Sequence, residues 1–132
     1  MIQLGLLHIS DGRTDEGGKL LREALEGAQR RHDEELTLAA LLALGDALWI
    51  LDQLEAARTY YQKALPLAEK GLRTHLEADL ERRLAYVHES MRQPEDGMVS
   101  AKRALTLYQS LHDPAGEAVV LAIMASLYRM SG

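Results

Sequence analysis

Apolar residues recur along this chain at helical spacing, and groups of them recur every 40 residues. Leu44-Gly45 and Ala64-Leu65 mark the clearest unit. Forty residues earlier stand Leu4-Gly5 and Ala24-Leu25, and forty later Leu84-Ala85 and Ala104-Leu105. One further step gives Met124-Ala125, with Tyr128 where Leu48 stood. A fixed period of this size is the signature of a repeat array.

The elements follow from the same pattern. A helix over Ile2 to Ser10 is stopped by the Asp11-Gly12 turn. Thr14 or Asp15 caps a second, carrying Leu20, Leu21, Ala24, Leu25 and Ala28 on one face, with Gly17-Gly18 in its first turn. Asp33 caps a third, with Glu34-Glu35 at the positive end of its dipole. Its stripes Leu41, Leu44, Leu48, Leu51 and Leu42, Gly45, Trp49 require cover on two sides. Asp52 with Glu55 reads as a capping box for a fourth helix, which Pro66 interrupts and Gly71 ends. Thr74 with Glu77 reads as a second box, opening a fifth. Pro94 opens a sixth, and Asp113-Pro114 caps and opens a seventh, ending near Met130. Seven helices on short turns predict an all-α array of antiparallel hairpins.

Composition agrees with that class. There is no Phe and one Trp in 132 residues, so β-forming aromatics are scarce while Leu and Ala abound. A net charge of -5 argues against direct nucleic-acid binding. The absence of cysteine excludes disulfides and thiolate metal sites, and fits a reducing cytoplasm. The longest apolar runs, Leu38 to Leu44 and Ala118 to Ala125, fall short of the ~20 residues of a membrane span.

Small residues carry the packing logic. Gly5, Gly45, Ala85 and Ala125 lie in the odd-numbered helices, and Gly17, Ala57, Gly97, Ala24, Ala64 and Ala104 in the even ones. They allow close approach, while Leu4, Leu44, Leu84, Tyr61, Leu65 and Leu105 fill the grooves. Leu44-Gly45-x2-Leu48 and Ala57-x3-Tyr61-x2-Ala64-Leu65 resemble the tetratricopeptide repeat (TPR). The third unit departs, with Gly97 and Ala101 for Ala57 and Tyr61, and Glu81 where a large residue is usual. The 40-residue period and the Leu111 to Ala118 junction resemble units of bacterial regulators, such as maltose-regulator-like activators and peptide-sensing quorum regulators.

The resemblance implies a right-handed superhelix in one domain over residues 1–132, with units 1–32, 33–73, 74–112 and a half-unit 113–132. It also implies a protein- or peptide-binding scaffold in which the odd helices line a concave groove. Carried along the period, groove positions include Leu6, Leu42, Asp46 and Trp49, then Asp79, Arg82, Arg83, Tyr86 and Glu89, and finally Arg129. Apolar anchors beside charges suit a helix or extended segment, and Trp and Arg dominate measured hot spots. For Trp49 and Tyr86 the alternative is inter-repeat packing; for Arg82 it is an ion pair with Asp46 or Asp79. Leu42 and Asp46 stand where chaperone-binding members carry Lys and Asn, which disfavours a carboxylate clamp.

The last helix keeps an apolar face of Leu121, Met124, Ala125 and Tyr128, so the chain is expected either to continue or to form a homodimer through it. A small-molecule-sensing domain of a regulator is the rival reading. No motif for catalysis, phosphate binding or metal binding is present, so no enzyme activity and no cofactor are expected. His8 and His88 fall at packing positions, and His32, His75 and His112 at helix junctions.

Overall fold

A computed structural model of the protein describes Ile2, Gly5 and residues 14–132. Every element among them is α-helix: α1 Thr14–Arg30, α2 Glu34–Ile50, α3 Leu54–Lys70, α4 Thr74–Ser90, α5 Pro94–Ser110 and α6 Pro114–Ser131. Ile2 and Gly5 are helical too; the rest of the expected Ile2 to Ser10 helix, with Leu6 and His8, lies outside the described residues. The array of helical hairpins anticipated from the period is the observed fold. The chain forms two compact units, Met1–Leu67 and Ala68–Gly132.

In the first unit α1 packs on α2 around Leu21, Ala43, Leu44 and Ala47, with Ile2, Leu25 and Tyr60 against them. Helix α2 buries Leu38, Ala40, Leu41, Ala43, Leu44, Gly45 and Ala47, which together occupy most of its circumference. Of the two expected stripes, Leu41, Leu44 and Gly45 are buried, Leu42, Leu48 and Trp49 are half-buried, and Leu51 is exposed. Small residues set the contact distances. A Cβ on Gly5 would lie 2.8 Å from Leu21 Cγ and 3.0 Å from the Gly17 carbonyl oxygen. A Cβ on Gly45 would lie 2.5 Å from Tyr61 Cε1, so the α3 tyrosine rests directly on the α2 backbone. In the second unit α5 packs against both α4 and α6, and α4 touches α6. Its core is Ala78, Ala85, Ala101, Ala104, Tyr108, Val120, Ile123 and Leu127.

The junctions correct two sequence readings. Each link ends a helix with one residue in the left-handed region: His32 (φ 54°), Asp52 (60°), Leu72 (55°), Arg92 (60°) and His112 (53°), spaced 20 residues apart. The chain then turns back through paired amide bonds. After α2, for example, Asp52 N donates to the Trp49 carbonyl at 3.0 Å and Gln53 N to the Leu48 carbonyl at 2.8 Å. Asp52 therefore closes α2 and does not cap α3. Thr74 is likewise the first helical residue of α4, whose N-cap is Arg73 without a side-chain capping bond. Neither expected capping box forms, because the left-handed residue shifts each helix start by a position. Gly71 marks the end of α3 as expected, and the left-handed residue follows it at Leu72. The aspartate caps do form: Asp33 accepts from Leu36 N at 3.0 Å and Asp113 from Gly116 N at 3.1 Å. Helix α3 runs through Pro66 to Lys70.

Candidate protein-binding face

Of the groove positions expected on α4, Asp79, Arg82, Tyr86 and Glu89 follow one helical stripe, and His75, which was not among them, stands at its start. All but the exposed His75 are half-buried. The stripe is knitted to both neighbouring helices. The Tyr108 hydroxyl, from α5, donates to Asp79 Oδ1, and Arg82 Nε donates to that hydroxyl at 3.1 Å. Arg82 Nη2 also lies 3.9 Å from Asp79 Oδ1. At the other end Ser126, on α6, donates to Glu89 Oε1 at 2.8 Å.

His75 stands between two carboxylates, with Nε2 at 3.1 Å from Asp113 Oδ2 and Nδ1 at 3.6 Å from Asp79 Oδ2. Its ring meets Tyr108 edge-on, centroids 6.1 Å apart. Two acids, one guanidinium, one imidazole and one phenol thus form a continuous polar network across α4, α5 and the start of α6.

Its electrostatics are those of a fixed array of charges. Burial, then the hydrogen bond to Asp79, pushes the Tyr108 hydroxyl up to about 12, so it stays a proton donor. Burial works against the Arg82 charge, but Tyr108 and Asp79 outweigh it and hold its pKa above the ordinary value. The Gly116 amide, then His75, holds the Asp113 carboxyl below the usual range. Nothing in this arrangement presents an activated nucleophile. Among the described residues no group of three or more His, Cys, Asp or Glu side chains is placed to hold a metal ion.

The first unit repeats one part of the design. Tyr61 on α3 donates through its hydroxyl to Asp46 Oδ1, while its ring covers Gly45. Leu42, Asp46 and Trp49 are all half-buried on α2. Each unit therefore holds an aspartate of the expected groove row through the hydroxyl of a core tyrosine. Arg83 and Tyr86 are half-buried, Tyr86 packing partly against the second core, and Arg129 is exposed on α6.

Of the ion-pair alternatives for Arg82, the structure places Asp79 beside it. His88 is buried, as its packing position required, with Nδ1 at 2.8 Å from Gln93 Oε1. Sequence reasoning missed Tyr108, His75 and Asp113 as network members. The usable signal was Gly116, in the first turn of α6, where a Cβ would come within 2.6 Å of Tyr108 Cε1.

On α6, Leu121 is 52% and Tyr128 68% exposed, Ala125 is exposed and Met124 is half-buried. One period earlier the matching α4 residues, Glu81, Leu84, Ala85 and His88, are all buried.

These features define a helical-repeat scaffold with a polar stripe along one face of α4. The tetratricopeptide-repeat family model matches residues 1–70, and the chain belongs to that family, whose repeats generally mediate protein–protein interaction. A crystal structure of BtubC (BKLC) from P. vanneervenii shares the fold, with a TM-score of 0.83 and 24% identity. The match covers 96% of this chain and 52% of that one, so this chain spans about half the length of that protein. No curated protein matches the sequence.

Proposed function

We propose that the chain binds a peptide segment of a protein partner along its groove positions, as part of a bacterial transcriptional or signalling regulator in the cytoplasm. The observation that carries the binding reading is the anchored stripe on α4. Asp79 and Arg82 are held by Tyr108, and Glu89 by Ser126, so their charges are positioned before a partner arrives. Side chains already ordered lose less entropy on binding. Arg82, Arg83, Tyr86 and Arg129 supply the residue types that dominate interface energetics. In the first unit the same reading assigns Leu42, Asp46 and Trp49 on α2 to its own groove positions, and Leu6 by the period. A small-molecule ligand in the groove is the alternative occupant.

The test is selection of peptides from a random displayed library, followed by NMR mapping of a selected peptide. Binding should perturb Arg82, Arg83, Tyr86 and Glu89. Arg83→Ala should weaken it by about tenfold, the loss of a moderate hot spot. Peptides that map elsewhere, or affinity indifferent to Arg83, would sink the assignment.

A second reading rests on the exposed apolar row of α6, which supports self-association through Leu121, Met124, Ala125 and Tyr128. Sedimentation at rising concentration tests it, with Leu121→Glu as the disrupting variant. A monomer throughout eliminates this reading.

A further inference from the structure

Among the described residues Glu81 is the one buried carboxylate. It lies one 40-residue period after Leu41, and the two are equally buried at 4% exposure. The repeat thus places an acid where its sister unit places a leucine. The Glu81 carboxyl accepts no hydrogen bond from any described residue. Arg103 Nη1 stands 3.8 Å from its Oε2, beyond hydrogen-bond reach. A buried carboxyl left in that state calls for a missing donor.

The carboxyl lines an open cleft of about 530 Å³ between the end of α3, the first half of α4 and the middle of α5. Glu69 and Glu77 line it as well, with Lys102 and Arg103 opposite and Thr106 and Leu107 forming its wall. When all are ionised, the three carboxylates exceed the two cations by one charge. Burial raises the Glu81 pKa to about 7, with Arg103 opposing and Glu69 and Glu77 adding smaller contributions to the rise. Burial and Glu69 raise Glu77 in the same direction.

The geometry points to this cleft as a second binding site, which receives one lysine or arginine side chain of a polypeptide partner. Its N–H donors supply the bond that Glu81 lacks, its single charge balances the lining, and its aliphatic stem lies against Leu107. A multiply charged free amine would overfill the charge deficit. The cleft shares no residue with the groove stripe, so its failure and that of the groove reading are separable.

The test is a carbon-detected NMR titration of the Glu81 carboxyl with Nα-acetyl-lysine N-methylamide. Tetramethylammonium, a cation without N–H donors, serves as the control. The lysine derivative should lower the Glu81 midpoint by about one unit and shift the Thr106 and Leu107 amides, whereas tetramethylammonium leaves them in place. Glu77→Gln should weaken the effect several-fold without altering helicity. A midpoint unmoved by the lysine derivative overturns the site. So does an equal response to tetramethylammonium. Spermidine acting at lower concentration than the lysine derivative overturns the assignment to a side chain.

Discussion

The Tyr108 hydroxyl donates to the Asp79 carboxylate, although the tyrosine itself is only 2% exposed. A core residue thereby fixes a charge on the candidate binding face, and Arg82 Nε donates to the same tyrosine hydroxyl. Tyr108→Phe keeps the ring and deletes only the polar link. It should cost about 1.5–3 kcal/mol of stability, the range for a hydrogen bond to a charged group. Urea unfolding checks the magnitude. Groove affinity should also fall, because Asp79 and Arg82 lose their common anchor.

Tyr61→Phe offers a matched comparison in the first unit, since Tyr61 donates to Asp46 while covering Gly45. A loss of about 1 kcal/mol or more is expected. It should come without any change at Asp79, which is followed through its carboxyl chemical shift. A neutral outcome in both variants would show that the two hydroxyls are not what orders the aspartates.

How much of this was legible in the chain depends on the kind of constraint. The 40-residue recurrence of Leu44-Gly45 and Ala64-Leu65 reports close packing, and packing between helices is periodic in sequence. The hairpins were therefore readable. Helix ends were less so. Asp52 and Thr74 have the composition of N-caps, yet Asp52 closes the preceding helix and Thr74 is already inside the next. Composition gives residue type, whereas the cap is decided by which residue turns left-handed. The groove row came from the period and the resemblance. Its internal wiring did not, because Tyr108 and Asp79 are 29 residues apart and no periodic rule pairs them.

The buried acid predicts a signed pH dependence. Folding raises the Glu81 pKa from 4.5 to about 7. Between those values the folded state holds a proton that the unfolded state has released, so this group's contribution falls as pH rises through that window. Glu81→Leu removes the term and restores the apolar residue found at Leu41. The variant should be more stable than the parent by a margin that widens from about pH 5 to about pH 8. Urea midpoints at the two pH values measure it. A margin that narrows with pH would contradict the assigned shift.

Three glycine substitutions separate packing from helix propensity. Alanine is favoured over glycine in a helix interior by about 1 kcal/mol. At Gly27 nothing lies within 4 Å of the added carbon, so Gly27→Ala should gain most of that amount. At Gly45 the carbon would sit 2.5 Å from Tyr61 Cε1, and at Gly116 2.6 Å from Tyr108 Cε1. Both rings are buried and hydrogen-bonded, so they cannot swing aside without breaking the bonds to Asp46 and Asp79. Gly45→Ala and Gly116→Ala should therefore destabilise by about 1–3 kcal/mol, the usual penalty of overpacking. Thermal or urea unfolding of the three variants should give opposite signs for Gly27 and the other two.

The α3–α4 link offers the clearest stabilising change. Leu72 sits at φ 55° and is 86% exposed, so it strains the backbone while burying almost nothing. A left-handed conformation costs an L-residue about 1–2 kcal/mol that glycine avoids. Glycine in turn makes the unfolded chain more flexible, which offsets part of the gain. Leu72→Gly should therefore raise stability by roughly 0.5–1 kcal/mol. Leu72→Asn, which tolerates the same region with less chain entropy to lose, should also stabilise. His112 shares the conformation (φ 53°) but lies next to Asp113, whose carboxylate caps α6 and meets His75. A substitution there would mix backbone relief with changes in the polar network, whereas Leu72 isolates the backbone term. If both Leu72 variants unfold at the parental urea concentration, the left-handed turn carries no strain worth relieving, and the 20-residue spacing of these turns imposes no cost on sequence.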